Sequence, residues 1–190
     1  MNKPFNDEPI EALVEKHLAR GGTVLDLRLK YIGDAGLEHL AGREELAGLT
    51  ELNLERNEIT DRGVRALAES QWIRGLRSLH LERNSIGEEG AKAIARSSAF
   101  SRLSTLNLWK NRIGTEGARE LAASIHLVHL TALDIAQNEL DDEAAQALAA
   151  SATLTGLRTL ELFGNPFTEE GIRALKESQA FPDLETLVIE

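Results

Sequence analysis

The chain has 190 residues, of which 31 are acidic and 21 basic, for a formal net charge of −10 at pH 7. That balance argues against a nucleic-acid surface, which would concentrate Lys and Arg on one face to neutralise phosphates. There is no cysteine, so disulfides and thiolate metal sites are excluded. With no apolar run of membrane-spanning length, a cytoplasmic protein that binds neither nucleic acid nor membrane is expected.

The opening segment, residues 1–21, lacks an apolar signal core. Asp7 can cap a helix in which Ile10, Leu13 and Val14 take the positions that Leu37, Leu40 and Ala41 take later. A capping half-repeat is expected there. From residue 22 onward the chain keeps one period. Leu25, Leu52, Leu79, Leu106, Leu133, Leu160 and Leu187 stand 27 residues apart, which makes residues 22–190 a single stacked array of seven strand registers, the last one truncated. A unit of this length cannot close a core alone, so each must bury its apolar face against the next.

Within a unit the pattern is LxxLxLxxNxIxxxGxxxLA, in five uninterrupted blocks that begin at Leu49, Leu76, Leu103, Leu130 and Leu157. Leu52 and Leu54 alternate with polar Glu51, Asn53 and Glu55, the period of a strand with one buried face. The period then lengthens. Thr60, Gly87, Gly114, Asp141 and Thr168 stand where a helix cap belongs, and acidic residues such as Asp61, Glu88, Asp142 and Glu169 fill the first turn. Val64 and Leu67 follow at helical spacing. The expected fold is an α/β solenoid, an arc with parallel strands on the concave face and helices on the convex face.

These motifs resemble the leucine-rich repeats of the ribonuclease-inhibitor type, shared by ribonuclease inhibitor, Ran GTPase-activating proteins and NOD-like receptor sensor domains. The resemblance covers residues 22–190 and implies a horseshoe fold and a surface for binding rather than for catalysis.

Three columns recur for structural reasons. Asn57, Asn84, Asn111, Asn138 and Asn165 mark the strand exits, where an amide can both accept from and donate to backbone groups of adjoining turns. Lys30 replaces this asparagine in the first unit. Gly36, Gly63, Gly90, Gly117 and Gly171 form a second column, and Ala144 within it indicates a need for smallness more than for positive φ. Ser70, Ser97, Ser124, Ser151 and Ser178 lie near helix ends, where hydroxyls bond local backbone groups. At the C-terminus the sequence stops directly after a strand, with Glu185 and Glu190 to blunt its edge. A covering contact or a further segment is expected there.

Function is expected on the concave face. Trp109 and Phe163 share one column with Ala136 between them, about 10 Å apart at the usual strand spacing, a gap that fits a partner's side chain. Asp134, His80, Glu82 and Arg83 surround them and complete the candidate binding surface. Arg56, Arg83 and Lys110 are expected to pair with Glu55 and Glu82 rather than to recognise an acidic partner. Trp72 is expected to cover the core beside Ile73, and His17, His39, His126 and His129 to lie on the surface. His80 is the one histidine on the inner face, flanked by Asn53 and Asn107 and near Glu82, so a general base is conceivable, but no nucleophile stands beside it in a motif-like setting, and the acidic and amide side chains of its column diverge rather than converge on a metal. The reading is therefore a non-catalytic module without cofactor or metal, binding a protein partner. The alternatives are a regulator of catalysis such as a GTPase-activating protein, to which the family resemblance and Arg56 and Arg83 point, or a ligand-sensing piece of a larger receptor-like protein.

Overall fold

The structure, a computed structural model, describes residues 8–19 and 21–190; Asp7, the expected cap, lies outside them. Helix α1 (Ile10–His17) follows Pro9 without a side-chain cap and buries Leu13 and Val14 in the core shared by the repeats. A two-residue strand, β1 (Leu18–Ala19), then pairs antiparallel with β2 (Val24–Asp26). The repeat pattern gave no sign of β1, which precedes the first register. Strands β3 (Glu51–Asn53), β4 (Ser78–His80), β5 (Thr105–Asn107), β6 (Ala132–Asp134), β7 (Thr159–Glu161) and β8 (Thr186–Val188) continue the sheet in chain order, all parallel. Each residue pairs with the one 27 positions on, Leu25 with Leu52 and Leu52 with Leu79.

Between the strands run α2 (Gly33–Ala41), α3 (Asp61–Ala68), α4 (Glu88–Arg96), α5 (Gly114–Ala122), α6 (Asp142–Ala149) and α7 (Glu169–Lys176), successive helices in contact along the outer side. Helices need about 8–10 Å between axes and strands about 4.8 Å, so stacking both in the same register curves the array with the sheet inside. The core between them is continuous. The two inward residues of each strand segment from β2 to β7, such as Leu79 and Leu81 or Leu106 and Leu108, are buried, as are Val64, Leu67, Ile94 and Leu121 from the helices. Each such side chain contributes about 1.5–3 kcal/mol, realised only when the adjacent repeat is present.

Four ladders fix one repeat on the next. The amide of Asn111 donates to Leu81 O and Leu108 O, both at 2.9 Å, and its Oδ1 accepts from Ile86 N at 3.0 Å. Asn84 Oδ1 accepts from both Asn57 N and Ile59 N at 3.0 Å, and Asn57, Asn138 and Asn165 reach back in the same way. A second ladder runs forward. Leu29, Arg56, Arg83, Lys110 and Gln137 all have left-handed backbone, with φ from 52° to 59°. Each donates its N–H to the next repeat, for example Arg83 N to Trp109 O at 2.8 Å and Lys110 N to Ala136 O at 2.9 Å. Only Gly164 in this column has the residue type that makes such a φ free of cost.

The serine column reaches further than the expected local bonds. Ser70, Ser97, Ser124, Ser151 and Ser178 donate to Ala41 O, Ala68 O, Ala95 O, Ala122 O and Ala149 O of the preceding helices. In the fourth ladder, Asp34 accepts from Thr60 N and Thr60 Oγ1 at 2.8 and 2.7 Å. Asp61 accepts from Gly87 N, and Asp142 from Thr168 N. First-turn acids therefore tie helix starts together, besides matching the dipole. This explains three of the glycines, Gly63, Gly90 and Gly171. A Cβ on Gly63 or Gly90 would stand 2.6 Å from the Asp34 or Asp61 carboxylate oxygen, and one on Gly171 would collide with that of Asp142. Where Thr115 replaces the acid, it bonds Asp141 instead and Ala144 is accommodated.

The caps differ from expectation at one glycine. Thr60, Asp141 and Thr168 cap α3, α6 and α7 through their side-chain oxygens, and Gly87 caps α4 by backbone alone. Gly114 is not a cap: it is the first residue of α5, at φ 60°, donating to Asn138 O at 3.1 Å. The left-handed start of α5 moves the boundary back to Ile113.

Candidate functional site on the concave sheet

The concave face is a grid whose columns are the outward strand positions. Its middle column, Asp26, Asn53, His80, Asn107, Asp134 and Glu161, is in part architectural. Side-chain oxygens of Asp26, Asn53, Asn107 and Asp134 accept from the N–H two residues on, at Arg28, Glu55, Trp109 and Ala136, over 3.2, 3.1, 2.9 and 3.1 Å. These closed turns brace each strand where it leaves the sheet. The recurrence of Asp and Asn in this column was the sequence signal for it.

His80 makes a different bond. Its Nδ1 lies 3.2 Å from Glu82 Oε1, and this hydrogen bond, with the charges of Glu82 and Glu51, raises the imidazole above its ordinary range against the opposing effect of burial. The other carboxylate oxygen, Glu82 Oε2, is buried without a hydrogen-bond partner. At the N-terminal edge Arg28 clasps Asp26 through two nitrogens. Burial would raise Asp26, but Arg28 outweighs it and holds the carboxyl below the usual range. Among the described residues Asp134 has no such cation. Burial pushes it up to about 6, and the charges of Glu161 and Glu82 add to the effect, while hydrogen bonds from Ala136 and Asn107 only partly offset it.

The aromatic column is present with a difference. Phe163 is 49% exposed, and Ala136 beside it is 5% exposed. Trp109 is half-buried and already has a neighbour: the Arg83 guanidinium lies 4.3 Å from its ring centroid. The expected pairing of the basic column holds for Arg83 and not for its neighbours. Arg83 also reaches Glu55, at 3.9 Å, and among the described residues Arg56 and Lys110 make no ion pair. The left-handed backbone at these three residues breaks the strand's alternation, so their side chains do not continue the rows of Glu55 and Glu82.

Elsewhere, Trp72 is half-buried beside fully buried Ile73. His39 Nε2 lies 2.9 Å from Glu11, linking α2 to α1. His17 departs from the expected surface placement, since it is half-buried and its Nε2 is enclosed without a partner. Ile125 and Val128, in the return after α5, are 74% and 41% exposed. Sequence reading passed over them, although Glu44, Gln71, Ser98 and Gln179 hold the position of Ile125 in other units. Among the described residues no three His, Cys, Asp or Glu side chains are grouped to hold a metal ion, and no helix is long and apolar enough to cross a membrane.

Comparison with known proteins places this architecture. The fold is similar to the ectodomain of the Arabidopsis receptor kinase HAESA, solved with an N-terminally extended IDA peptide hormone. That match has a TM-score of 0.50 and 17% identity over 87% of this chain and 25% of the ectodomain. An internalin from Listeria monocytogenes aligns with a TM-score of 0.47 and 19% identity, over 86% of this chain and 46% of its own. The chain thus spans about a quarter of the receptor ectodomain and under half of the internalin. No curated protein matches it significantly. The family model described as Leucine Rich repeat matches residues 49–68, 75–95, 103–122, 126–149 and 154–176, more than half of the sequence, and the chain belongs to the leucine-rich repeat family.

Proposed function

We propose that the protein is a non-catalytic, cytoplasmic interaction module of the ribonuclease-inhibitor-like subtype, capped by residues 1–21, that binds a partner protein on its concave sheet between Trp109 and Phe163. The observation that carries this reading is Phe163, a large ring 49% exposed on the same face as Trp109, with the small, buried Ala136 between them. Exposed aromatic anchors beside polar groups are where interface energy concentrates. The 27-residue period and the helical convex side support the subtype. Arg83 is stacked on Trp109 and so is not a free arginine of the kind a GTPase regulator would insert into a nucleotide site.

The test is affinity capture from native lysate with wild type, Phe163→Ala and Ala136→Arg, each with a thermal melt. The expected result is a captured protein lost from both variants, with the Phe163→Ala melt unchanged. Equal capture by all three proteins refutes the site.

A further inference from the structure

The trough expected between the two rings has a chemical preference of its own. Ala136 follows Asp134 just past the end of β6, Asp134 pairs in register with Glu161 on β7, and Glu82 is near enough for its charge to act on Asp134. Neither Asp134 nor Glu161 makes an ion pair among the described residues, and Glu82 is paired with His80 through one oxygen alone, whereas Asp26 at the edge of the same sheet is clasped by Arg28. Aromatic faces attract cations through their quadrupole, and Trp109 already holds one, the guanidinium of Arg83 from the preceding repeat. Rings and carboxylates together thus complement one kind of group, a cation on an apolar stem.

We propose that the trough between Trp109 and Phe163 receives a lysine or arginine side chain from a basic segment of the partner protein, its stem against the rings and Ala136 and its charge on Asp134 and Glu161. This rests on the concave-face reading and specifies its partner. A cation arriving there lowers the cost of ionising Asp134, whose neighbours are Asn107 on β5, Glu161 on β7, and Glu82 beyond β4 with its partner His80. Binding therefore releases protons near pH 6 and weakens as pH falls below that value.

The experiment is selection of a random heptapeptide phage library against the full chain, followed by affinity measurement on the selected synthetic peptides. Selected sequences are expected to be enriched in Lys or Arg next to apolar residues. Their affinity should fall by about tenfold or more in Asp134→Asn/Glu161→Gln, equivalent to about 1.4 kcal/mol or more. Asparagine is the residue that Asn53 and Asn107 already supply in this column, so the variant keeps the brace, and its melt is recorded alongside. Peptides without basic residues that are still lost in Phe163→Ala would overturn the cationic specificity and leave the site standing. Peptides indifferent to Phe163→Ala and Ala136→Arg would overturn the site itself, and failure to enrich any peptide would overturn both.

Discussion

Replacing Asn111 by alanine removes three hydrogen bonds whose losses are unequal. Leu81 O keeps the amide of Asn84 at 2.9 Å, and Leu108 O keeps that of Asn138 at 2.9 Å, because each of these two carbonyls accepts from two successive asparagines. Ile86 N has no such second partner among the described residues: its acceptor there is Asn111 Oδ1, and Ile86 is fully buried. An orphaned buried donor costs about 1–3 kcal/mol, and two weakened carbonyls add about 0.5 kcal/mol each, so the expected loss is about 2–4 kcal/mol. Urea unfolding followed by circular dichroism measures the total, and hydrogen exchange at the Ile86 amide localises it. A variant that unfolds at the wild-type midpoint with Ile86 still protected would refute the argument, because water or a neighbour would then be filling the place of the amide.

Three further outcomes are expected. Gly171→Ala forces a methyl against the Asp142 carboxylate and should destabilise by about 1–3 kcal/mol; adding Asp142→Thr and Thr168→Asp, the exchange seen at Thr115, Asp141 and Ala144, should recover most of the loss in a melt. Asp134→Asn should gain stability relative to wild type as pH rises from about 4 to about 7, by about 1 kcal/mol once solvent screening on this partly exposed face is allowed for. The sign follows from a folded-state value near 6 that lies above the unfolded value, so the fold favours the protonated acid and loses that contribution as pH rises through 6; a pH-independent difference between the two melts would refute it. Trp109→Ala should cost about 0.5–1 kcal/mol through the lost Arg83 contact, where Phe163→Ala changes stability by less than about 0.5 kcal/mol; equal costs would mean that Phe163 is packed rather than presented.

The frame of the molecule was legible because an unbroken period makes every position report on its equivalents. Leu52 over Leu79, the asparagine at each strand exit and the small residue of each helix all follow from one ruler. The period reveals which residues stack but not which atoms meet. It marked the serine column yet not the reach of Ser70 back to Ala41, and it marked the first-turn acids yet not the bond from Asp34 to Thr60. Backbone conformation is equally silent: Arg56, Arg83 and Lys110 look like continuing strand, and the left-handed turn beneath them is imposed by carbonyls of the following repeat. The stacking of Arg83 on Trp109 depends on that turn, and pairing inferred from sequence neighbours found its acid, Glu55, but not the ring. The candidate face was visible as a grid of outward positions, whereas the uncompensated charge on Asp134 appears only once burial and neighbours are known.

The forward and backward hydrogen bonds at the strand exits also set a quantum of length for the gene. A duplication or loss of 27 residues, beginning at any phase of the cycle, returns every asparagine to its carbonyls and every left-handed turn to its acceptor. A gain of one residue between Leu79 and Ile86 has no such escape, because both ladders pass through that stretch. The returns on the convex side are more permissive. They fold as short 3-10 turns at Glu44–Leu46 and Ser98–Phe100 and in other ways elsewhere, while the flanking strands keep their register. Such an array can be extended by whole units and decorated along its outer edge, while its concave face can change only by substitution.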